Sequence, residues 1–243
     1  MRVSRLFVPQ PLTEGAQVRL DEESGHYLKT VLRLKRGFEL TIFNGDGGEF
    51  SATVVRAGRE EVLVAVGERR FRDAESPLVT RLGLGISRGE RMDLAIQKAV
   101  ELGVGRITPL FTEHSVVRLD EARRGQRHGH WRRVANSACE QCGRTRLPEV
   151  DPPVALETWI RDQDGLKLFF DPQGAVGLKE LPPPAGPVCL LSGPEGGFAP
   201  SERALAQQAG FLAVRLGPRI LRTETAVLAA LSAVQVLWGD LGG

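Results

Sequence analysis

Three short stretches of the chain hold residue types and spacings from which chemistry could be built, and each follows a run that reads as a strand. In Leu190-Leu-Ser-Gly-Pro-Glu-Gly-Gly-Phe198, three glycines surround one carboxylate. The backbone there can approach a ligand closely while the turn stays tight. A plain strand-to-helix turn seldom needs so many glycines, which favours a binding function. The central charge is an acid rather than a lysine or arginine, so a cationic or neutral ligand suits the loop better than a triphosphate. In Leu216-Gly-Pro-Arg-Ile-Leu-Arg-Thr-Glu-Thr-Ala226, the charged Arg219, Arg222 and Glu224 stand beside the start of an apolar helix. Thr223 is its expected N-cap, and the cluster reads either as a capping network or as a site. The third stretch, Gly83-Leu-Gly-Ile-Ser-Arg-Gly89, has the spacing GxGxxxG with its first glycines inside the strand. Close packing of the strand backbone is the expected reason for it, with a nicotinamide site as the alternative.

The elements that must position these loops fall into two groups. Residues 1–72 read as β: Arg5–Val8, Gln17–Leu20, Glu39–Phe43, Phe50–Val55 and Val62–Val66 are strand candidates. Asn44-Gly-Asp-Gly-Gly48 is a hairpin loop of residues that tolerate positive φ. One helix starts near Glu23-Ser24 and runs through His26, Tyr27, Leu28, Val31 and Leu32. Five strands and one helix suggest a small barrel. The polar, proline-ended stretch Arg72–Pro77 sets the boundary. Residues 73–243 then alternate strands (82–86, 107–111, 166–170, 188–191, 212–216) with helices (88–102, 131–142, 201–209, 224–238), as in a parallel sheet covered on both faces.

Composition narrows the function classes. No signal-peptide core opens the chain, and the apolar run Thr225–Trp238 is broken by Ser232 and Gln235 and too short to span a bilayer. A cytoplasmic protein without membrane association is expected. Net charge is only +2, but Arg118–Arg146 holds eight arginines against three acids. That cluster suits an RNA-facing surface or a solvated helix face. Three cysteines make no disulfide framework. Cys139 and Cys142, with His128 and His130 upstream, raise the question of zinc. Helical periodicity and the lack of a glycine-bent knuckle argue against it, and no metal is expected.

The two carboxy-terminal loops, Leu191–Phe198 and Leu216–Ala226, resemble the cofactor loops of the bacterial 16S ribosomal RNA uridine-N3 methyltransferases of the SPOUT superfamily. Ser87-Arg-Gly-Glu-Arg-Met-Asp93, Ile96-Gln-Lys-Ala-Val-Glu-Leu-Gly103 and Ile107-Thr-Pro-Leu110 extend the resemblance. So do Glu140-Gln-Cys-Gly-Arg-Thr-Arg-Leu-Pro148, Ser4-Arg-Leu-Phe7 and Val31-Leu-Arg33, so that it covers almost the whole chain. It implies a PUA-like β-barrel followed by an α/β domain whose carboxy-terminal chain is tied in a trefoil knot. It also implies a homodimer acting on 16S rRNA or the small ribosomal subunit, and S-adenosylmethionine as cofactor with S-adenosylhomocysteine as product. The cofactor contacts carried over are Leu191, Gly193, Pro194, Glu195, Gly196 and Gly197 from the first loop. From the second they are Leu216, Gly217, Ile220, Leu221, Thr223 and Ala226. One departure is Ala199, where the family has Ser or Thr. Loss of that cap costs about 1 kcal/mol or less and puts the start of the following helix in question.

Within this reading, Arg222 is expected to stabilise the uridine anion electrostatically, and Glu195 or Glu224 to organise the loop or accept the N3 proton. Neither loop contains a histidine. For RNA docking the expected residues are Arg5, His26, Lys29 and Arg33 in the first domain, and Arg132, Arg144 and Arg146 in the second. His26, Lys29 and Arg33 follow one helical face. The alternatives are a SPOUT methyltransferase with another target, such as tRNA or a ribose 2'-hydroxyl, and a non-catalytic RNA-binding protein.

Overall fold

The computed structural model describes residues 4–26, 28, 35–58, 61–115 and 121–242. Contacts divide the chain into two compact units, Met1–Glu75 with Cys139–Leu147, and Ser76–Ala138 with Pro148–Gly243. The sequence-based boundary fell at 72/73, and the grouping of Cys139–Leu147 with the first unit had no sequence signature.

The first unit contains β1 (Arg5–Phe7), β2 (Gln17–Arg19), α1 (Glu22–His26), β3 (Glu39–Phe43), β4 (Gly48–Ala57) and β5 (Val62–Phe71). They form a five-stranded sheet in the order β1-β3-β4-β5-β2, with β1 parallel to β3 and the other pairs antiparallel. Alternation decides which face is covered: Leu40, Ile42, Phe50, Ala52, Val54, Val62, Val64 and Val66 all point into one core with Leu6, Val8 and Leu20. β4 runs two residues beyond each expected end, and β5 runs on from Val66 to Phe71, because its exposed tail Glu68–Phe71 carries no apolar alternation to read. Asp21 caps α1 by accepting a 2.7 Å bond from the Ser24 amide. The rest of the expected helix, including Tyr27, Val31 and Leu32, lies outside the described residues, apart from the buried Leu28.

The returning segment is held to this unit by polar bonds. Glu140 accepts the Phe7 amide at 2.9 Å, and Glu75 takes the Arg144 guanidinium at 2.6 Å. Arg5 pairs with Glu49 and also donates to the Arg144 carbonyl. Arg144 and Arg146, expected in the second domain, therefore belong to the first unit.

The second unit contains β6 (Thr80–Gly85), α2 (Gly89–Glu101), β7 (Arg106–Phe111), α3 (Glu121–Cys142, to Ala138), β8 (Glu149–Val150) and β9 (Val154–Ala155). After them come α4 (Leu156–Trp159), β10 (Leu166–Phe170), β11 (Val188–Ser192), α5 (Pro200–Gln208), β12 (Leu212–Val214) and α6 (Thr223–Trp238). The sheet order is β12-β10-β11-β6-β7-β8, with β9 also on β7, and every pairing is parallel. β11 is buried along its whole length, as an inner parallel strand covered on both faces must be. α3 begins ten residues before its expected start at 131. Its first turns, rich in Arg, Gly and His, have no apolar period, and buried Trp131, Ala135 and Ala138 come only later. β8, β9 and α4 are too short to have been read at all.

The glycines of β6 are packing devices. A Cβ on Gly83 would lie 2.5 Å from the Trp159 ring, and one on Gly85 2.4 Å from the Pro194 nitrogen. Cys139 and Cys189 are buried, and burial pushes both thiols up to about 12. Among the described residues no cluster of three metal-ligating side chains occurs, and no helix is long and apolar enough to cross a membrane.

Gln235, a polar break in the apolar run of α6, is fully buried. Its amide donates to the Leu102 carbonyl at 3.0 Å, and its oxygen accepts the Ser76 hydroxyl at 2.7 Å. Gln235→Leu strands both partners and should destabilise the protein by about 2 kcal/mol. Urea denaturation checks this as a lowered midpoint; an unchanged midpoint would mean that water or a rearrangement satisfies them.

Candidate active site

The carboxyl ends of β10, β11 and β12 lie side by side, and the loops that leave them enclose a cavity of about 400 Å³. Ligands of open parallel sheets bind at such strand ends. The first loop, from Phe170 through Asp171 to Pro172, follows β10. The second is Gly193–Phe198 after β11, and the third runs from Leu216 to Thr223 into α6, whose Ala226 also faces the cavity.

The second loop is held by features that each answer to a residue type. It crosses the end of β6 where Gly85 has no side chain. Gly197 turns at φ +69°, a conformation that L side chains rarely adopt. A Cβ on Gly196 would meet the His114 side chain at 2.8 Å, and the His114 ring sits 3.1 Å from the Gly196 carbonyl. Glu195 reaches the start of α2, where it pairs with Arg91 at 2.9 Å and accepts the Arg88 amide at 3.3 Å. An acid at that end of a helix is favoured by the helix dipole.

The helix after this loop forms despite Ala199. Pro200 occupies its first position, and Glu202 reaches back to accept the Ala199 amide at 2.8 Å, one half of a capping box. The other carboxylate oxygen of Glu202, a buried residue, accepts the Glu113 amide at 2.9 Å. One acid thus ties α5 to the loop that follows β7. The first loop is fastened in turn by Arg203 of α5, which pairs with buried Asp171 at 3.0 Å and donates to the Phe198 carbonyl at 3.3 Å.

The third loop carries charge toward solvent. Arg219 and Arg222 both line the cavity, are exposed, and form no ion pair among the described residues. Thr223 was the expected N-cap of α6, but Arg222 occupies that position by its backbone, no side chain caps the helix, and Thr223 is its buried first residue. The carbonyl of Arg222 accepts the Ala226 amide at 2.8 Å, which starts the helical ladder. Glu224 does not line the cavity; one of its oxygens is buried without a partner.

Of the expected cofactor contacts, Gly193, Pro194, Glu195, Gly196, Gly197, Leu216, Gly217, Ile220, Leu221, Thr223 and Ala226 all line this cavity. Leu191 does not, since it points into the core beside Phe198. Missed were the Phe170–Pro172 turn, Arg203 and Arg91. An aspartate-proline step closing the apolar strand Leu166–Phe170 was the available signal for the first.

The expected RNA contacts scatter. Arg132 is exposed on α3 and Arg146 is exposed in the first unit. Arg144 is buried in its pair with Glu75, and the Arg5 side chain is 10% exposed in its pair with Glu49, so neither offers a free guanidinium. His26 ends α1, and Lys29 and Arg33 lie outside the described residues.

Comparison with known proteins places these features in context. The chain matches the profile of a family described as the RNA methyltransferase domain over residues 74–235, and that of an RNA methyltransferase PUA domain over residues 20–67. It is 37% identical to ribosomal RNA small subunit methyltransferase E of Buchnera aphidicola, over 99% of this chain and 98% of that protein. The Bacillus subtilis protein of the same name is 28% identical, over 95% and 96%. Among solved structures, a Legionella pneumophila protein with bound cofactor SAM superposes with a TM-score of 0.96 at 40% identity, covering 99% and 100% of the two chains. Ribosomal RNA small subunit methyltransferase E of Neisseria gonorrhoeae, bound to S-adenosyl methionine, gives 0.91 at 36% identity, covering 98% and 99%.

Glu202→Ala removes two hydrogen bonds to a buried carboxylate and should cost about 3 kcal/mol. Thermal denaturation tests the loss, and proteolysis at the 193–199 loop tests whether that loop loosens with it.

Proposed function

The chain belongs to the ribosomal RNA small subunit methyltransferase E family, and on that premise we propose that it methylates N3 of a uridine in 16S ribosomal RNA, using S-adenosylmethionine. The observation that carries the proposal is the convergence of the two glycine-containing loops on one cavity, with Arg219 and Arg222, which form no ion pair among the described residues, beside it.

The residues present fit the cofactor. The cavity is of the size of small-molecule sites, commonly about 300–1,000 Å³. The glycine loop brings backbone to it with little side-chain bulk. Phe170, Val214 and Ala226 supply apolar wall; Asp171 and Glu195 also line it, each paired with an arginine, Arg203 and Arg91. When bound, S-adenosylmethionine supplies a methyl group made electrophilic by its sulfonium sulfur.

The protein's own task is then to align the uracil and to manage the proton on N3, which is a poor nucleophile until that proton leaves. The Arg222 guanidinium is free to lie against the uracil and stabilise the negative charge that develops as the proton goes. Of the two acids considered, Glu195 is the one that borders the cavity; to receive that proton it must first give up a bond to Arg91 or to the Arg88 amide. Glu224 positions the first turn of α6, where its charge favours the helix dipole. Arg219 is suited to a backbone phosphate of the RNA.

The same reading ties the chain from β11 to α6 in a trefoil knot, pairs two copies as a homodimer and puts the enzyme in the cytoplasm. Exposed apolar Ile220, Val236, Leu237 and Leu241 are surface that a second copy would cover.

Calorimetric titration with S-adenosylmethionine should show one-site binding, abolished by Gly196→Trp; no binding by the parent, with or without RNA, would defeat the proposal. Incubation with small ribosomal subunits lacking the modification, followed by nucleoside mass spectrometry, should yield 3-methyluridine. A ribose-methylated nucleoside in its place would reassign the target. Arg222→Ala should lower turnover by roughly a hundredfold while leaving cofactor affinity nearly intact. Full turnover in that variant would remove Arg222 from the chemistry.

A further inference from the structure

Outside the cavity, the feature that the fold leaves unexplained is Phe71. The residue is 83% exposed, more than any other aromatic among the described residues. It ends β5 directly opposite Gly48 of β4, so the residue facing it across the ladder has no side chain to cover it. Its neighbours in sequence are Arg69, Arg70 and Arg72, all exposed.

The glycines of the hairpin loop give this strand end a particular form. A Cβ on Gly48 would fall 2.6 Å from Nε of Arg69, and one on Gly47 3.1 Å from Nη2 of Arg146. Both guanidiniums thus lie against backbone that only glycine leaves bare. Arg69 also packs over the Phe50 ring at 5.9 Å. Within the first unit, two guanidiniums lie against Gly47–Gly48, and the exposed Phe71 is the cross-strand partner of Gly48.

We propose that this surface is a subsite for one unpaired nucleotide of RNA, whose base stacks on Phe71 while flanking phosphates meet Arg69 and Arg146. The proposal rests on the RNA-methyltransferase reading and adds Phe71 and Arg69 to the RNA contacts expected from the sequence. An exposed ring among arginines is matched to a polyanion that carries its own flat faces. An apolar protein partner would instead have to desolvate the surrounding guanidiniums. Arg72 and Arg146 form no ion pair among the described residues. Arg69 lies 4.0 Å from Asp46 and Arg70 3.8 Å from Glu68, contacts between exposed groups. Such contacts are weak enough for a phosphate to replace them.

The test is fluorescence anisotropy with a short labelled oligouridylate and with a duplex RNA of the same length, across a salt series. Phe71→Ala should weaken binding of the single strand roughly tenfold, leave duplex binding and the salt slope unchanged, and be rescued by Phe71→Trp. Arg146→Gln should instead flatten the salt slope by about 0.7. The subsite is overturned if Phe71→Ala binds oligouridylate like the parent, if the parent does not bind it, or if Trp fails to rescue. It is also overturned if Phe71→Ala changes the sedimentation of the RNA-free protein, because the ring would then face a second copy. Titration of each variant with S-adenosylmethionine should match the parent. A parent that binds RNA but no cofactor would overturn the methyltransferase reading and leave the subsite standing, so the two failures are distinguishable.

Discussion

The site depends on one missing side chain. Where β6 ends, Gly85 leaves room for the Gly193–Pro194 peptide to cross, and a single methyl there would come within 2.4 Å of the proline nitrogen. Atoms cannot approach so closely, so the loop after β11 would have to lift off the sheet. Everything that follows is set by that crossing. Only from this position does Glu195 reach both the Arg88 amide and the Arg91 guanidinium at the start of α2. From it the chain turns at Gly197 into α5, whose adjacent Glu202 and Arg203 hold the loops after β7 and β10. Two of the three cavity loops, those after β11 and β10, are therefore positioned from one contact outward, and the bonds that hold them lie in the cavity's walls.

The parts of this arrangement that were legible in the sequence are those where local composition and tertiary role coincide. Glycine around a carboxylate after an apolar run specified a tight turn, and β11 with its loop, which lines the cavity, lies as expected. The spacing GxGxxxG in β6 was legible as packing, although its partners, Trp159 and Pro194, were not. Pairing across long sequence separation left no such mark. Nothing in Arg144 distinguishes a solvated arginine from one buried against Glu75, because that difference lies 69 residues away. Thr223 misled for a related reason: threonine before an apolar helix is a good cap in isolation, but here the side chain is buried and the helix starts one residue earlier. The same competition explains Ala199. The cap that it cannot provide is replaced from the third position of the helix by Glu202.

The arginines of this chain divide by what their charge already meets. Arg5, Arg91, Arg144 and Arg203 each hold a carboxylate, and three of those partners fix a loop or a returning segment. For Arg5, Arg144 and Arg203, removing the acid leaves a buried or half-buried cation uncompensated, which is a structural cost and not a binding effect. Arg219, Arg222, Arg72 and Arg146 meet no acid among the described residues and stand exposed. Counting arginines along the sequence cannot separate these groups, since both occur within the segment from Arg118 to Arg146. Geometry separates them, and the division has a thermodynamic consequence. An unpaired surface guanidinium gains an anion without losing one, so its contribution to binding a polyanion is realised in full and weakens with salt. A paired one must first give up its carboxylate. On the proposed reading, the cations placed to act on RNA are those whose charge the fold leaves unmet or, as for Arg69, only weakly met.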